Sequence, residues 1–430
     1  MNVFQIKGGK RLEGVVDVGG SKNTALAIMS AVVLAEGVTV LTNVPNLSDT
    51  RIKANLLERF GAKIKWDGDR LEIDCSSIRP ADADEETVRA IRTSFYLLGP
   101  LMARTKRIEL PAPGGCKIGA RPVDFHIKGL RALGATIELL GGSYIAACDE
   151  LIGTEIYLDF PSAGATQHLM STAVLAKGVT TIQNAAIEPE VTALADFLNR
   201  MGARIEGAGT STITILGVEK LNAVEFRVPA DRMQAGTYLL AGAITCGDVT
   251  VRGILPDEQM AVVNKLREAG VEVEEGPDSV RVTCNRRLKG INIKTMPHPG
   301  FPTDMQQPMA AVLTLAEGTS VVEETIYESR IGHIQELNRM GANIRTEGRS
   351  ALITGVEKLR GAVVEASDLR AGAALVLAGL AARGETTVKN IHFIDRGYEA
   401  FEETLSQLGA QIRRRQIPDD STLTASEGTY

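Results

Sequence analysis

Leu198-Asn199-Arg200-Met201-Gly202-Ala203 and Leu337-Asn338-Arg339-Met340-Gly341-Ala342 are the same six residue types at two places in one chain of 430 residues. Looser copies end in Gly61-Ala62, Gly134-Ala135, Gly270-Val271 and Gly409-Ala410, each with leucine four positions before the glycine. Successive glycines are 73, 68, 68, 71 and 68 residues apart, a spacing too regular for chance. The chain therefore reads as six copies of a unit of about seventy residues. In each copy the signature is the last turn of a helix, stopped by a glycine and followed by an alternating strand such as Ala62-Lys-Ile-Lys-Trp66.

Upstream of each signature lie a further helix and strand. The upstream helices, for example 24–35, 167–176, 238–244 and 371–381, are apolar nearly all round, which requires burial on every side. The strands after them, at 180–184, 249–253 and 387–391, alternate as half-exposed strands do. Buried helices with sheets outside invert the usual barrel. Six units suggest two similar α/β domains of three units each, facing one another across a cleft. The expected boundaries are 22–229 for one domain and 1–21 plus 230–419 for the other. The polar, aperiodic end 420–430 reads as a mobile tail.

The bulk composition is that of a globular protein: 44% hydrophobic, 23% charged, only 4% aromatic, with 43 glycines. A net charge of −6 argues against nucleic acid or an anionic membrane as the main partner. No secretory leader and no long uncharged apolar run is evident, so a cytoplasmic protein is expected. The five cysteines are odd in number and lack metal-ligand spacing. Cys75, Cys148 and Cys284 follow strand-like runs, and Cys246 lies in an Ala/Gly-rich apolar segment, so these four read as structural. No metal or cofactor is implied.

Function on a repeat scaffold belongs where the copies differ, in loops at helix N-termini. Copy one has Gly19-Gly-Ser-Lys22-Asn23, either an anion site or simply a Ser/Asn cap with a solvated lysine. Copy two has Arg92 and then Pro113-Gly-Gly-Cys116-Lys-Ile-Gly-Ala-Arg121-Pro122-Val123-Asp124. This cysteine stands among glycines and beside positive charge, which favours its thiolate, although a loop cysteine can also be incidental. Copy five has Phe301-Pro-Thr303-Asp304-Met and Arg330; copy six has Arg370 and Asp395-Arg396-Gly-Tyr398. Closing the two domains would assemble Lys22, Arg92, Arg121, Arg330, Arg370 and Arg396 into a strongly cationic pocket, with Asp304 and Cys116 as its base and acid.

These motifs in combination closely resemble the UDP-N-acetylglucosamine 1-carboxyvinyltransferase family, over residues 1 to about 413. The resemblance implies a fold of two inside-out α/β barrels built from six βαβαββ-like units. It implies transfer of enolpyruvate from phosphoenolpyruvate to the sugar 3-hydroxyl, through a tetrahedral ketal, with loss of phosphate, as the first committed step of peptidoglycan synthesis. Cys116 would be the proton donor, a site of adducts with phosphoenolpyruvate and the target of fosfomycin; Asp304 would be the base. Lys22, Asn23, Arg121, Arg330, Arg370 and Arg396 would hold phosphoenolpyruvate. Asn23, Arg92, Arg121, Pro122, Val123, Asp124, Ser162, Ala163, Gly164, Asp304 and Ile326 would line the nucleotide-sugar site.

One departure stands out: Phe160-Pro161 replaces the lysine-containing segment common in the family near the uridine. Phe160 reads as a packed loop residue rather than a stacking one. Two rivals follow from the same residues. 5-Enolpyruvylshikimate-3-phosphate synthases share the fold and the phosphoenolpyruvate chemistry but lack the Gly-Gly-Cys loop. A catalytically dead relative that binds nucleotide sugars or a protein is opposed by the presence of both Cys116 and Asp304.

Overall fold

A computed structural model describes residues 1–81, 83–114 and 123–418. Cys116, Arg121 and Pro122 lie outside the described residues, as does the tail 420–430.

The apolar helices form the centre of each half of the molecule. Lys22–Ala31, Leu98–Thr105 and Ala163–Ala173 pack together in the first half, Arg232–Ile244, Thr303–Leu313 and Leu369–Ala381 in the second. Every residue of Arg232–Ile244 is buried. Apolar burial on all sides leaves no polar face to turn outward, so the sheets must cover these helices. The buried apolar residues fall into two clusters, one drawn from Ala25 to Val228 and one from Phe4–Val16 together with Met233–Ile412.

Among the described residues, five four-stranded sheets and one three-stranded sheet surround these helices, with a small two-stranded pairing besides. The four-stranded sheets share one plan. In the third copy, Glu155–Tyr157 lies parallel to Val179–Gln183, and the hairpin Arg204–Glu206 and Thr212–Leu216 continues antiparallel. The repeat glycines sit where the second helix turns into that hairpin, and all six adopt positive φ, +108° at Gly202 and +92° at Gly341. A side chain at such a φ clashes with its own backbone, which is why the signature ends in glycine each time.

Three strands are borrowed across the repeat. The sheet of the first copy takes Glu225–Arg227 as its parallel edge beside Val38–Thr42. That of the fourth copy takes Glu13–Asp17 beside Asp248–Arg252. The sixth is completed by Asn2–Lys7, inserted between Glu385–Lys389 and Gln411–Gln416. The two crossings between halves run side by side, tied by Ser21 N–H to Pro229 C=O at 2.7 Å and Asp231 N–H to Gly19 C=O at 2.9 Å.

Copy two departs from the plan. Its sheet has three strands, Arg107–Pro111, Ser143–Ala147 and Thr136–Leu140. The segment before its inner helix forms the short helix Glu85–Ala90 and a 3-10 turn at Arg92–Leu97 instead of an edge strand.

Cys75, Cys148 and Cys284 are buried, but Cys246 corrects the sequence reading. It is only half-buried, at φ +49°, and both its Sγ and that of Cys284 point at the Arg286 carbonyl, 3.7 and 3.1 Å away. The Ala/Gly-rich helix has already ended at Ile244, so the thiol falls in the turn rather than in the core.

Candidate active site

Inner-helix N-termini from both halves meet between the two cores. Lys22 opens Lys22–Ala31, whose cap is Ser21, accepting from the Thr24 N–H. Its own N–H donates across the interface to Asp231, the capping residue of Arg232–Ile244, at 3.2 Å. The Ser21 cap and Lys22 thus stand side by side in one turn. Lys22 Nζ lies 3.3 Å from Asp49 Oδ2, and Arg396 Nε of the second half lies 2.9 Å from Asp49 Oδ1. Asp49 is 5% exposed, on the first turn of Ser48–Arg59. One buried carboxylate therefore joins a cation from each half. Burial pulls the Lys22 ammonium below its usual pKa; Asp49 and Asp304 oppose this, while Arg370 and Arg396 add to it.

Asp304, at the start of Thr303–Leu313, is clasped by two buried guanidiniums. Arg330 Nη1 is 2.8 Å from Oδ1, and Arg370 Nη2 and Nε are 3.1 and 3.2 Å from Oδ2. Behind them a hydrogen-bonded shell fixes the geometry. Arg370 donates to the Tyr398 hydroxyl at 2.8 Å, which in turn pairs with Thr237 at the same distance. Arg330 donates to Thr303 Oγ1, and that hydroxyl donates to the buried Glu324 carboxylate at 2.8 Å. Burial disfavours the Arg370 charge, but Tyr398 and Asp304 outweigh it and hold the group above its ordinary pKa.

These pairings correct the picture of a strongly cationic pocket. Lys22, Arg330, Arg370 and Arg396 come together as the loop positions predicted, yet Asp49 and Asp304 neutralise half of their charge. The sequence reading missed Asp49. An acidic residue in a first helical turn is ordinary, and its partner Arg396 lies 347 residues away.

Beside this cluster a cavity of about 450 Å³ opens between the halves. Asn23, Arg92, Ser162, Ala163, Gly164, Asp304 and Ile326, which the family resemblance assigns to the nucleotide-sugar site, all line it. Val123 and Asp124 do not; they form the start of helix Asp124–Ala132, where Val123 packs against the first core. Phe160 and Pro161 do line it. Phe160 is 41% exposed, so the packed-loop reading is overturned: its ring is presented to the cavity with its backbone held beyond the strand Glu155–Tyr157. Across the cavity Arg232 makes a bidentate pair with Glu190, Nε to Oε1 at 2.9 Å and Nη2 to Oε2 at 3.1 Å, joining the halves a second time. Burial raises the neighbouring Glu188 and Glu258 carboxyls. The sequence reading named none of these charged residues: Glu188, Glu190 and Glu258 lie in or beside ordinary amphipathic helices, and Arg232 opens an inner helix while its partner Glu190 is 42 residues away.

Such a site can bind polyanions between two bodies, with a carboxylate placed among cations for proton transfer. Among the described residues no cluster of His, Cys, Asp and Glu is placed to hold a metal, and no helix is long and apolar enough to cross a membrane.

Known proteins give the arrangement its context. The family model for EPSP synthase (3-phosphoshikimate 1-carboxyvinyltransferase) matches residues 6–405. The chain is 50% identical over 416 residues to UDP-N-acetylglucosamine 1-carboxyvinyltransferase 2 of Carboxydothermus hydrogenoformans, covering 96% of this chain and 99% of that protein. It is 48% identical over 414 residues to UDP-N-acetylglucosamine 1-carboxyvinyltransferase of Desulfatibacillum aliphaticivorans, covering 96% and 100%. The crystal structure of the enolpyruvyl transferase NikO from Streptomyces tendae superposes with a TM-score of 0.88 at 28% identity, covering 97% of this chain and 99% of that one. The family model spans the architecture shared with EPSP synthases; the identity along the whole length decides between the sister groups. The chain has the enolpyruvyl transferase fold and belongs to the UDP-N-acetylglucosamine 1-carboxyvinyltransferase family.

Proposed function

We propose that this protein transfers the enolpyruvyl group of phosphoenolpyruvate to the 3-hydroxyl of UDP-N-acetylglucosamine, releasing phosphate, as a cytoplasmic enzyme of the first committed step of peptidoglycan synthesis. The observation that carries the reading is the cluster of four cations and two carboxylates drawn from both halves beside a cavity that Asp304 also lines. Both substrates are polyanions, and a cationic floor offsets the cost of bringing them together. Three units lie on each side of the cleft, so we place the domain boundaries near residues 22 and 229, where the two crossings pair.

In this reading Lys22, Asn23, Arg330, Arg370 and Arg396 receive phosphoenolpyruvate, and the cavity from Arg92 to Ile326 receives the nucleotide sugar. Asp304 takes the proton of the 3-hydroxyl as its oxygen bonds to the central carbon of phosphoenolpyruvate, while an acid protonates the methylene carbon. The resulting ketal then loses a methyl proton and expels phosphate, leaving the enol ether. Cys116, Arg121 and Pro122 keep the roles that the family motif gives them: proton donor for Cys116, substrate contacts for the other two.

The acceptor is the first thing to test. Purified protein should release inorganic phosphate from phosphoenolpyruvate with UDP-N-acetylglucosamine and not with shikimate 3-phosphate. The reverse preference moves the chain to the sister group, and silence with both supports a binding protein.

Asp49 gives a second expectation. It is the largest influence sustaining the Lys22 charge against burial, so Asp49→Asn should leave that ammonium to lose its proton at lower pH. Phosphoenolpyruvate binding needs the charged form, which is lost as pH rises. The alkaline limb of kcat/KM for phosphoenolpyruvate should therefore move to lower pH. A pH–rate profile unchanged in Asp49→Asn would show that Lys22 does not set this limb.

A further inference from the structure

Away from the cavity, two thiols of the second half converge on one carbonyl oxygen. Cys246 lies in the turn between the inner helix Arg232–Ile244 and the strand Asp248–Arg252, and Cys284 directly follows the strand Ser279–Thr283. Their Sγ atoms stand 3.7 and 3.1 Å from the Arg286 carbonyl oxygen. That oxygen has two lone pairs, so both thiols can donate to it, and the sulfurs are neighbours.

The backbone accounts for the meeting. Asp248–Arg252 and Ser279–Thr283 pair antiparallel with Asp248 opposite Thr283, and the pairing runs one step further, from the Cys284 N–H to the Gly247 C=O at 2.9 Å. Cys246 is the next residue out. Neighbouring strands lie about 5 Å apart, within the Cα separation of about 4.4–6.8 Å that a disulfide spans. In a regular strand successive side chains point to opposite faces, so Cys246 would turn away from Cys284. Its φ of +49° breaks the alternation, and its sulfur comes round to the carbonyl that Cys284 also meets. Glycine or asparagine takes that conformation far more readily, so the thiol is held there against its backbone preference.

Access and charge divide the two. Cys284 is 1% exposed, whereas Cys246 is half-buried and can be reached from solvent. Arg11 stands beside the pair, its Nη1 donating to the Cys284 carbonyl oxygen at 3.3 Å and to Asn285 Oδ1 at 3.0 Å. Cys284 and Arg11 hold the Cys246 thiol below its usual pKa, while Cys246 and burial push that of Cys284 up. One thiol is open and readily ionised; the other is sheltered and stays protonated. An attacking cysteine and a resolving cysteine differ in this way.

We propose that Cys246 and Cys284 form a thiol–disulfide exchange site that accepts low-molecular-weight disulfides and closes to an internal disulfide. The Cys246 thiolate attacks one sulfur of the small disulfide. A Cys246–S–S–R bond forms, the S–S bond of the reagent breaks, and one thiolate leaves with the electron pair. Cys284 then gives up its proton and attacks the Cys246 sulfur, expelling the second small thiol. Two protein thiols are oxidised to one disulfide, and the small disulfide is reduced to two thiols. The new bond ties the far end of Arg232–Ile244 to the end of Ser279–Thr283. Neither cysteine lines the cavity, so the site stands independently of the reaction proposed above.

The test incubates the reduced, full-length protein with glutathione disulfide, quenches with acid and maps the peptides without reduction, so that Cys116 is read separately. A Cys246–Cys284 linked peptide should appear at least about tenfold faster than any modification of the buried Cys75 or Cys148, and dithiothreitol should reverse it. Cys284→Ser should stop at a mixed disulfide between glutathione and Cys246. Cys246→Ser should leave Cys284 reduced. Unaltered protein that keeps a mixed disulfide on Cys246 with Cys284 free overturns the internal bond, and no modification of Cys246 overturns the site. Glutathione on Cys284 in Cys246→Ser overturns the order of attack.

Discussion

Asp304→Asn is expected to lower kcat about 10³-fold while UDP-N-acetylglucosamine still binds within a few-fold, the pattern of a lost general base. Asparagine keeps the shape and one acceptor oxygen for the clasp of Arg330 and Arg370, and it loses only the basic oxygen and the charge. Alanine is the poorer test. Like asparagine it removes the counter-ion of two guanidiniums, 4% and 3% exposed, but it also removes every acceptor oxygen between them. Breaking buried pairs in this way costs on the order of 3–5 kcal/mol, enough to confuse lost chemistry with lost folding. Steady-state kinetics and calorimetry on the one variant separate the outcomes. Chemistry retained at saturation, with binding lost, contradicts the base assignment.

Cys116→Ala is expected to lower turnover by at least about 10³-fold and to remove covalent modification by the epoxide fosfomycin. The expectation comes from the loop sequence and the family motif, and the other four thiols sharpen it. Burial pushes Cys75 up to about 12 and raises Cys148, and the Cys246 thiol beside it raises Cys284. Cys246 is the exception: it is only half-buried, and Cys284 and Arg11 beside it hold its thiol below the usual value. A general alkylating reagent should therefore label Cys246 as well as Cys116. Fosfomycin is an anion that must be drawn into the cationic cluster, and Cys246 does not line the cavity. Peptide mapping after each reagent checks this. Fosfomycin on Cys246, or full activity in Cys116→Ala, would remove the assignment of Cys116 as proton donor.

Much of the architecture was legible because it rests on local rules applied six times. A glycine that must take positive φ and a helix without a polar face recur at a fixed spacing, and neither depends on distant residues. Lys22, Asp304, Arg330, Arg370 and Arg396 could be found because they interrupt that pattern at helix starts. What stayed hidden depends on partners far apart in the chain. Asp49 and Glu190 look like ordinary helix-surface acids until Arg396 and Arg232 arrive from the other half. The orientation of Phe160 follows from the loop path. Equally silent was the want of an edge strand in copy two among the described residues, where the segment in its place is helical at Glu85–Ala90.

The borrowed strands impose an order on biosynthesis. The first-half sheet that needs Glu225–Arg227 can close once that segment has left the ribosome. By contrast, Glu13–Asp17 must wait for Asp248–Arg252, and Asn2–Lys7 for both Glu385–Lys389 and Gln411–Gln416. Asn2–Lys7 and Glu13–Asp17 are thus made well before the strands they pair with. Until those strands follow, each leaves an unpaired strand edge, the kind of edge that invites association with other chains. The sixth unit closes only when Asn2–Lys7 meets Gln411–Gln416. A chain shortened before Gln411 would leave Asn2–Lys7 paired on one side only.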